Sequence, residues 1–316
     1  MLGLEDALEK LDSYYDGFHF RINYNYYGPG FITAMTASLL EWGVAEQLFS
    51  AHSTNAGYFT TLGLYRELWG TQANICRPNA GVTYSQITPL RNAEQVDQAT
   101  TTINSCIRCI VQENTSQGIN DLLKVVGELH DNVWSHGKST GFSMAQKWAI
   151  PNTNQQDHYL EFALADRGLG FLGEMNRARK TVLTDREAIE WCIVEGNSTK
   201  HASDERDLDQ RLPEGHDGVN PMGQFACVMT ENHHQGLGLA YLIKLVKKYD
   251  GELNLASGSC LLTINSAGEN FKTISNPWKG VAISCRFKES SLLREVKNDG
   301  IKDEKIAAIM QRLKGG

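Results

Sequence analysis

The chain has 316 residues, 41% hydrophobic and 21% charged, with 30 Lys and Arg against 37 Asp and Glu and a net charge of −7. That length accommodates two ordinary domains or one large one, and the composition excludes a disordered, collagen-like or small disulfide-scaffold chain. The acidic balance argues against bulk attraction to nucleic acid or anionic lipid. No stretch approaches the ~18 consecutive apolar residues of a membrane span. The amino-terminal MLGLEDALEKLDSYY is acidic and amphipathic, without the basic start and apolar core of a secretory signal. Seven scattered cysteines, an odd number, read as reduced thiols, so a cytoplasmic location is expected. Cys106 and Cys109 make one C-x-x-C in helix-like NSCIRCIVQEN, two ligands where zinc needs about four. They are expected to be plain core thiols.

Residues 1–75 read as a small α/β unit. LEDALEKLDSYY has helical periodicity, FHFRI (18–22) alternates like a strand, and turn-rich NYNYYGPG follows. FITAMTASLLEWG (31–43) reads as a helix stopped by Gly43, and YFTTLGLYRELWG (58–70) as another. Residues 76–95 form a linker. Residues 96–136 are helical, with a break near Gly118. After a polar stretch at 151–157, LEFALA (160–165) is a buried strand running into Asp166-Arg-Gly168-Leu-Gly170. Thr184-Asp-Arg-Glu187 is a capping box opening the helix EAIEWCIVEG. Residues 196–235 are polar and without periodicity, which in a compact domain marks a lid or a disordered segment. Gly236-Leu237-Gly238-Leu239 leads into the helix AYLIKLVKKY. ELNLAS (252–257), CLLTIN (260–265) and VAISCRF (281–287) are three strands, the last with Val281, Ile283, Cys285 and Phe287 on one face. Residues 289–316 form a charged helical tail.

Three elements bear on chemistry. In GINDLLKVVGELHDNVWSHG (118–137), Leu122, Val125, Val126, Leu129 and Val133 form one helical stripe. Glu128, Asn132 and His136, spaced i, i+4, i+8, line one flank of it, and Asp131 points toward solvent. Asn supplies a neutral oxygen suited to Mg²⁺, and Glu at the edge of an apolar surface can take a proton from water. The same spacing also describes an amphipathic helix with a polar flank. Next, Asp166 closes a buried strand, where a carboxylate can accept from an exocyclic amine, and Gly168 and Gly170 let the backbone pass close to a planar ring. A simple strand-end turn is the bland alternative. Last, the glycines at 236 and 238 lead into a helix start, whose free N–H groups favour phosphate. A G-x-G alone is weak. Neither the dinucleotide fingerprint nor a G-K-[ST] loop is present.

The order helix flank, Asp-x-Gly-x-Gly, polar segment and glycine turn resembles the histidine-kinase-like (GHKL, Bergerat-fold) ATPases over residues 96–288, with a lid at about 175–235. The resemblance implies a two-layer α/β sandwich with helices on one face of a mixed sheet. It implies ATP with Mg²⁺: Asn132 on the metal, Asp166 on the adenine amine, Gly168 and Gly170 beside the ring, Gly236 to Leu239 around the phosphates, and Glu128 as base. E-L-H-D-N-V-W-S-H-G looks most like the anti-sigma-factor serine kinase branch, which places His136 near the phosphates. EGNSTK (195–200) resembles a related lid motif, so Lys200 is a γ-phosphate contact or a solvated loop lysine. Where the family often has Gly-Thr, this chain has Gly280-Val281, so a hydroxyl near the nucleotide is absent unless Thr263 or Ser284 supplies it. No His-Glu-x-x-Pro box precedes the domain, which disfavours a sensor histidine kinase. The amino-terminal unit resembles STAS-like domains, with Tyr27-Gly28-Pro29-Gly30 where antagonists carry a phosphorylatable serine; a generic α/β cap is the alternative. Three activities stay open: an ATPase switch acting on a partner protein, a serine/threonine protein kinase, and a nucleotide-binding module without turnover. ATP or ADP and a protein partner are implied. A homodimer is open, and neither nucleic acid nor membrane is expected as a partner.

Overall fold

The structure is a computed structural model that describes residues 1–73, 75–112, 115–134, 139–150, 157–194, 197 and 238–294. Five strands form one sheet in the order β3 (Thr88–Leu90), β4 (Gly141–Ala149), β5 (His158–Asp166), β7 (Gly268–Lys288), β6 (Glu252–Asn265). Every neighbouring pair is antiparallel, which corrects the expected mixed sheet. Among the described residues the only parallel pairing between named strands is a separate ribbon of β1 (Phe20–Ile22) and β2 (Phe49–Ala51). The mixed α/β class expected from the sequence therefore holds, with a different strand arrangement. Among the described residues no helix is long and apolar enough to cross a membrane.

Side chains alternate across a strand, and here both faces are buried. On β5, Leu160, Phe162 and Leu164 face a core shared with α5 (Ala93–Ile110), α6 (Gln117–Asn132) and α9 (Gly238–Lys248). The expected stripe on α6 lies in that core, as do Ile283, Cys285 and Phe287 of β7 with Val281 packed at its edge. Ala165 on β5 and Phe142 and Met144 on β4 face the other way, into a core built by α1 (Leu4–Lys10), α2 (Pro29–Glu41), α3 (Ser53–Leu62) and α4 (Leu64–Trp69). The sheet is thus covered on two faces, not one. All residues from Pro29 to Leu39 of α2 are buried. Thr33, Thr36 and Ser38 return their hydroxyls to the carbonyls four residues back, at 3.0, 2.7 and 2.9 Å, which lets a buried helix carry them.

Several boundaries differ from the sequence reading for local reasons. The helix expected over 58–70 is two, α3 and α4, split at Gly63 with φ +87°. The break expected at Gly118 falls before it: Ser116 caps α6 by accepting the Ile119 N–H at 3.3 Å. Gly118 instead makes room for a neighbour, since a Cβ there would lie 2.6 Å from the Leu292 carbonyl. The strands expected at 252–257 and 260–265 are one strand with a bulge at Ser257–Cys260. The bulge shifts the phase by one residue, so Leu253 and Leu255 before it share a core with Leu262 and Ile264 after it. Cys106 is buried in the core, whereas Cys109, three residues on, is exposed, so only one of the two is a core thiol. The Thr184–Glu187 capping box is present at the start of α8 (Asp185–Cys192). Most of the sequence-read lid and most of the tail lie outside the described residues.

Candidate functional site

Asp166 is the last residue of β5 and, by strand alternation, lies on the face of Phe162 and Leu164, toward α6. Its register partner on β4 is Gly141. A Cβ at Gly141 would stand 2.9 Å from Val133 Cγ1 and 3.3 Å from Asp166 Cβ. The missing side chain lets the end of the α6 stripe approach the carboxylate.

Asp166 is 3% exposed, and its carboxyl group is well supplied with donors. Its Oδ1 accepts the Gly168 N–H at 2.7 Å and the Ser139 hydroxyl at 3.4 Å, and the Val281 backbone N–H also donates to the group. Burial nevertheless outweighs these bonds and pushes the acid up to about 6. Asp166 is therefore a desolvated acceptor held in place by backbone.

Two positive-φ glycines build the turn around it. Gly170 has φ +68° and opens α7 (Gly170–Arg177). A Cβ there would meet Ser257 Oγ at 2.8 Å, and that oxygen accepts the Phe171 N–H at 3.0 Å. Gly280 has φ +100°, and a Cβ would lie 2.4 Å from the Asp166 carbonyl and 2.7 Å from the Gly168 nitrogen. Only glycine allows β7 to touch the turn after Asp166 there. The Asp166 carbonyl also accepts the Trp278 indole N–H at 3.0 Å.

On the opposing helix, Glu128 and Asn132 are both half-buried, as their place on the stripe's flank requires. Asp131, expected to face solvent, is half-buried too. Gly238, at the first turn of α9, packs directly on this flank: a Cβ would lie 2.8 Å from Glu128 Cβ and 3.7 Å from Asn132 Nδ2. Leu239 is buried in the core beside it. The fold thus joins Gly238 to Glu128 and Asn132, and Val133 to Asp166 by way of Gly141. His136, Lys200, Gly236 and Leu237 lie outside the described residues. Among the described residues no group of three or more His, Cys, Asp or Glu side chains could hold a metal ion.

Neither hydroxyl considered for the Gly280-Val281 departure stands at this site. Ser284 lies on the other face of β7 and donates to Glu161 at 2.8 Å, and Thr263 donates to Asn254 at 3.0 Å. The hydroxyls that do line the turn are Ser139 and Ser257, which the sequence reading missed because neither belongs to a motif. His130 was also missed, although it falls four residues after Val126 and three before Val133, in phase with the apolar stripe. It is fully buried, with Nδ1 2.9 Å from Thr100 Oγ1 and Nε2 2.8 Å from Ser143 Oγ. Burial depresses its pKa to about 3, so it is neutral and ties α5, α6 and β4 together.

Fold and site together define a mixed α/β protein with a buried strand-end carboxylate in a glycine-built turn, next to a helix carrying a glutamate and an asparagine. No protein-family model, curated protein or solved structure matches the chain.

Proposed function

We propose that this protein binds ATP with Mg²⁺ in the manner of the GHKL, Bergerat-type ATPases, and that it works as a nucleotide-dependent switch on a partner protein. The observation that carries the reading is Asp166: a donor-rich, desolvated carboxylate at a strand end, wrapped by glycines too crowded for any side chain. Such an acceptor suits the exocyclic amine of adenine, and Gly168 would lie beside the ring, whereas the space at Gly170 is filled by Ser257 and Gly280. Asn132, with its half-buried amide beside Gly238, suits a Mg²⁺ that takes its other ligands from phosphate and water. The metal's charge would offset that of the phosphates. Gly236 to Leu239 would surround the phosphates, with His136 and Lys200 as further contacts. Glu128 would accept the proton of the attacking water when the γ-phosphoryl bond to ADP breaks. The amino-terminal helices and their parallel ribbon are read as a STAS-like docking unit.

Incubation with γ-labelled ATP, with and without partner candidates, tests the reading. Free phosphate released by the wild type and lost in Glu128→Ala, with ATP affinity retained, supports the switch. Phosphoprotein in place of phosphate supports a serine/threonine kinase, and bound ATP without either supports a binding module. Absence of any Mg²⁺-dependent uptake of ATP or ADP by calorimetry refutes all three.

A further inference from the structure

Arg167 follows Asp166 directly and points the opposite way, into the layer formed by α2. Its guanidinium lies 3.8 Å from the centroid of the Trp278 ring and 6.0 Å from that of Trp42. Nη2 donates to Ser38 Oγ at 2.6 Å, and Nε is 3.2 Å from Glu41 Oε2. Trp42 stacks in turn on Tyr15, centroids 4.7 Å apart and planes 3° from parallel. The side chain is only 14% exposed, and Glu41, Asp12 and Asp166 surround it with negative charge. Trp278, which supports the cation, is the residue whose N–H holds the Asp166 carbonyl. Glu41 is shared: its other oxygen receives Lys279 at 3.1 Å, and Lys279 precedes the Gly280 that presses on Asp166. One carboxylate at the end of α2 therefore holds cations adjoining both segments that meet at Asp166, the loop after β5 and the Gly280 stretch of β7.

We propose that Arg167 is a positioning residue through which the end of α2 sets the posture of the Asp166–Gly170 loop, so that the amino-terminal layer regulates ligand affinity at that loop. The proposal rests on the nucleotide reading for its ligand, but the mechanical link stands apart from it. Planar stacking with simultaneous hydrogen bonding is a task for guanidinium that an ammonium does not reproduce. The coupling is reciprocal: a ligand that fixes the loop also tightens α2 against the sheet.

The test uses the full chain and three variants, Arg167→Lys, Glu41→Gln and the double variant. Glu41 is at the edge of α2, so Glu41→Gln folds even if Arg167→Lys does not. Without ligand, hydrogen exchange of the Gly168 and Phe171 amides should accelerate about fivefold or more in each single variant, with the β5 interior at Ala163 unchanged. With Mg²⁺–ATP, affinity by calorimetry should fall about fivefold or more, and the double variant should lose no more than the worse single one. Unchanged exchange at Gly168 and Phe171 overturns the coupling, and so does accelerated exchange with unaltered ATP affinity. Additive losses in the double variant also overturn it. If the wild type binds no ATP while the exchange arm responds, the nucleotide reading fails and the link between α2 and the loop is upheld.

Discussion

Replacing Asp166 by Asn separates the folding role of this residue from its binding role. The carboxylate accepts from Gly168, Val281 and Ser139, so an amide that turns its NH₂ toward one of them loses a hydrogen bond, about 1–3 kcal/mol. Against this, the acid is raised from 3.8 to about 6 by burial, so holding it ionised at neutral pH costs about 3 kcal/mol that the neutral amide avoids. The two effects oppose and are of similar size, and the variant should fold with near wild-type stability at pH 7. The pH dependence carries the sharper test. A raised folded-state value means that the folded protein binds more protons than the unfolded chain between about 3.8 and 6. The stabilisation is complete below that window and is lost as pH rises through about 6. Urea unfolding from pH 7 to pH 4 should therefore show wild type gaining about 2 kcal/mol relative to Asp166→Asn. On the same samples, ATP affinity should fall about ten- to a hundredfold, the loss of a hydrogen bond to a charged acceptor. A stability difference independent of pH refutes the desolvated carboxylate. A normal ATP affinity refutes the adenine contact.

Gly280→Ala should destabilise by about 3 kcal/mol or more, because strain at positive φ adds to a collision with backbone. Gly268→Ala, at φ +118° with nothing near its Cβ, should show the strain alone, about 1–3 kcal/mol; equal thermal shifts for the two would remove the close contact at Asp166. His130 titrates with the opposite sign to Asp166: depressed from 6.5 to about 3, it contributes stability above pH 6.5 that is lost on acidification toward pH 3. His130→Gln should flatten that acid limb in urea melts, and an unaltered limb would show that the imidazole is solvated. Glu161, buried under α2, accepts the Gly30 N–H at 2.9 Å and the Ser284 hydroxyl at 2.8 Å on one oxygen, and burial raises its pKa. Glu161→Gln keeps that oxygen and should melt no lower than wild type at pH 7, whereas Glu161→Ala leaves both donors bare and should lose about 2 kcal/mol or more. Equal melting temperatures for the two would mean that the bonds under α2 do not matter.

Local physics made part of this protein legible in its residues. The α6 stripe from Leu122 to Val133, the run into Asp166, the Thr184–Glu187 box and the one-faced alternation of Val281 to Phe287 each depend on neighbours a few positions away. Chain spacing places Glu128 and Asn132 on the half-buried flank of one helix turn. Tertiary structure decided the rest, because the deciding contacts are remote in sequence. Antiparallel pairing brings Gly280 onto Asp166 across more than a hundred residues, and the bulge at Ser257–Cys260 keeps one core continuous through a change of phase. His130 meets its partners only when α5 and β4 close around it, and Arg167 meets Ser38 and Glu41 only when α2 covers the second face of the sheet. Periodicity indicates which side of an element is buried, and packing alone determines what it is buried against.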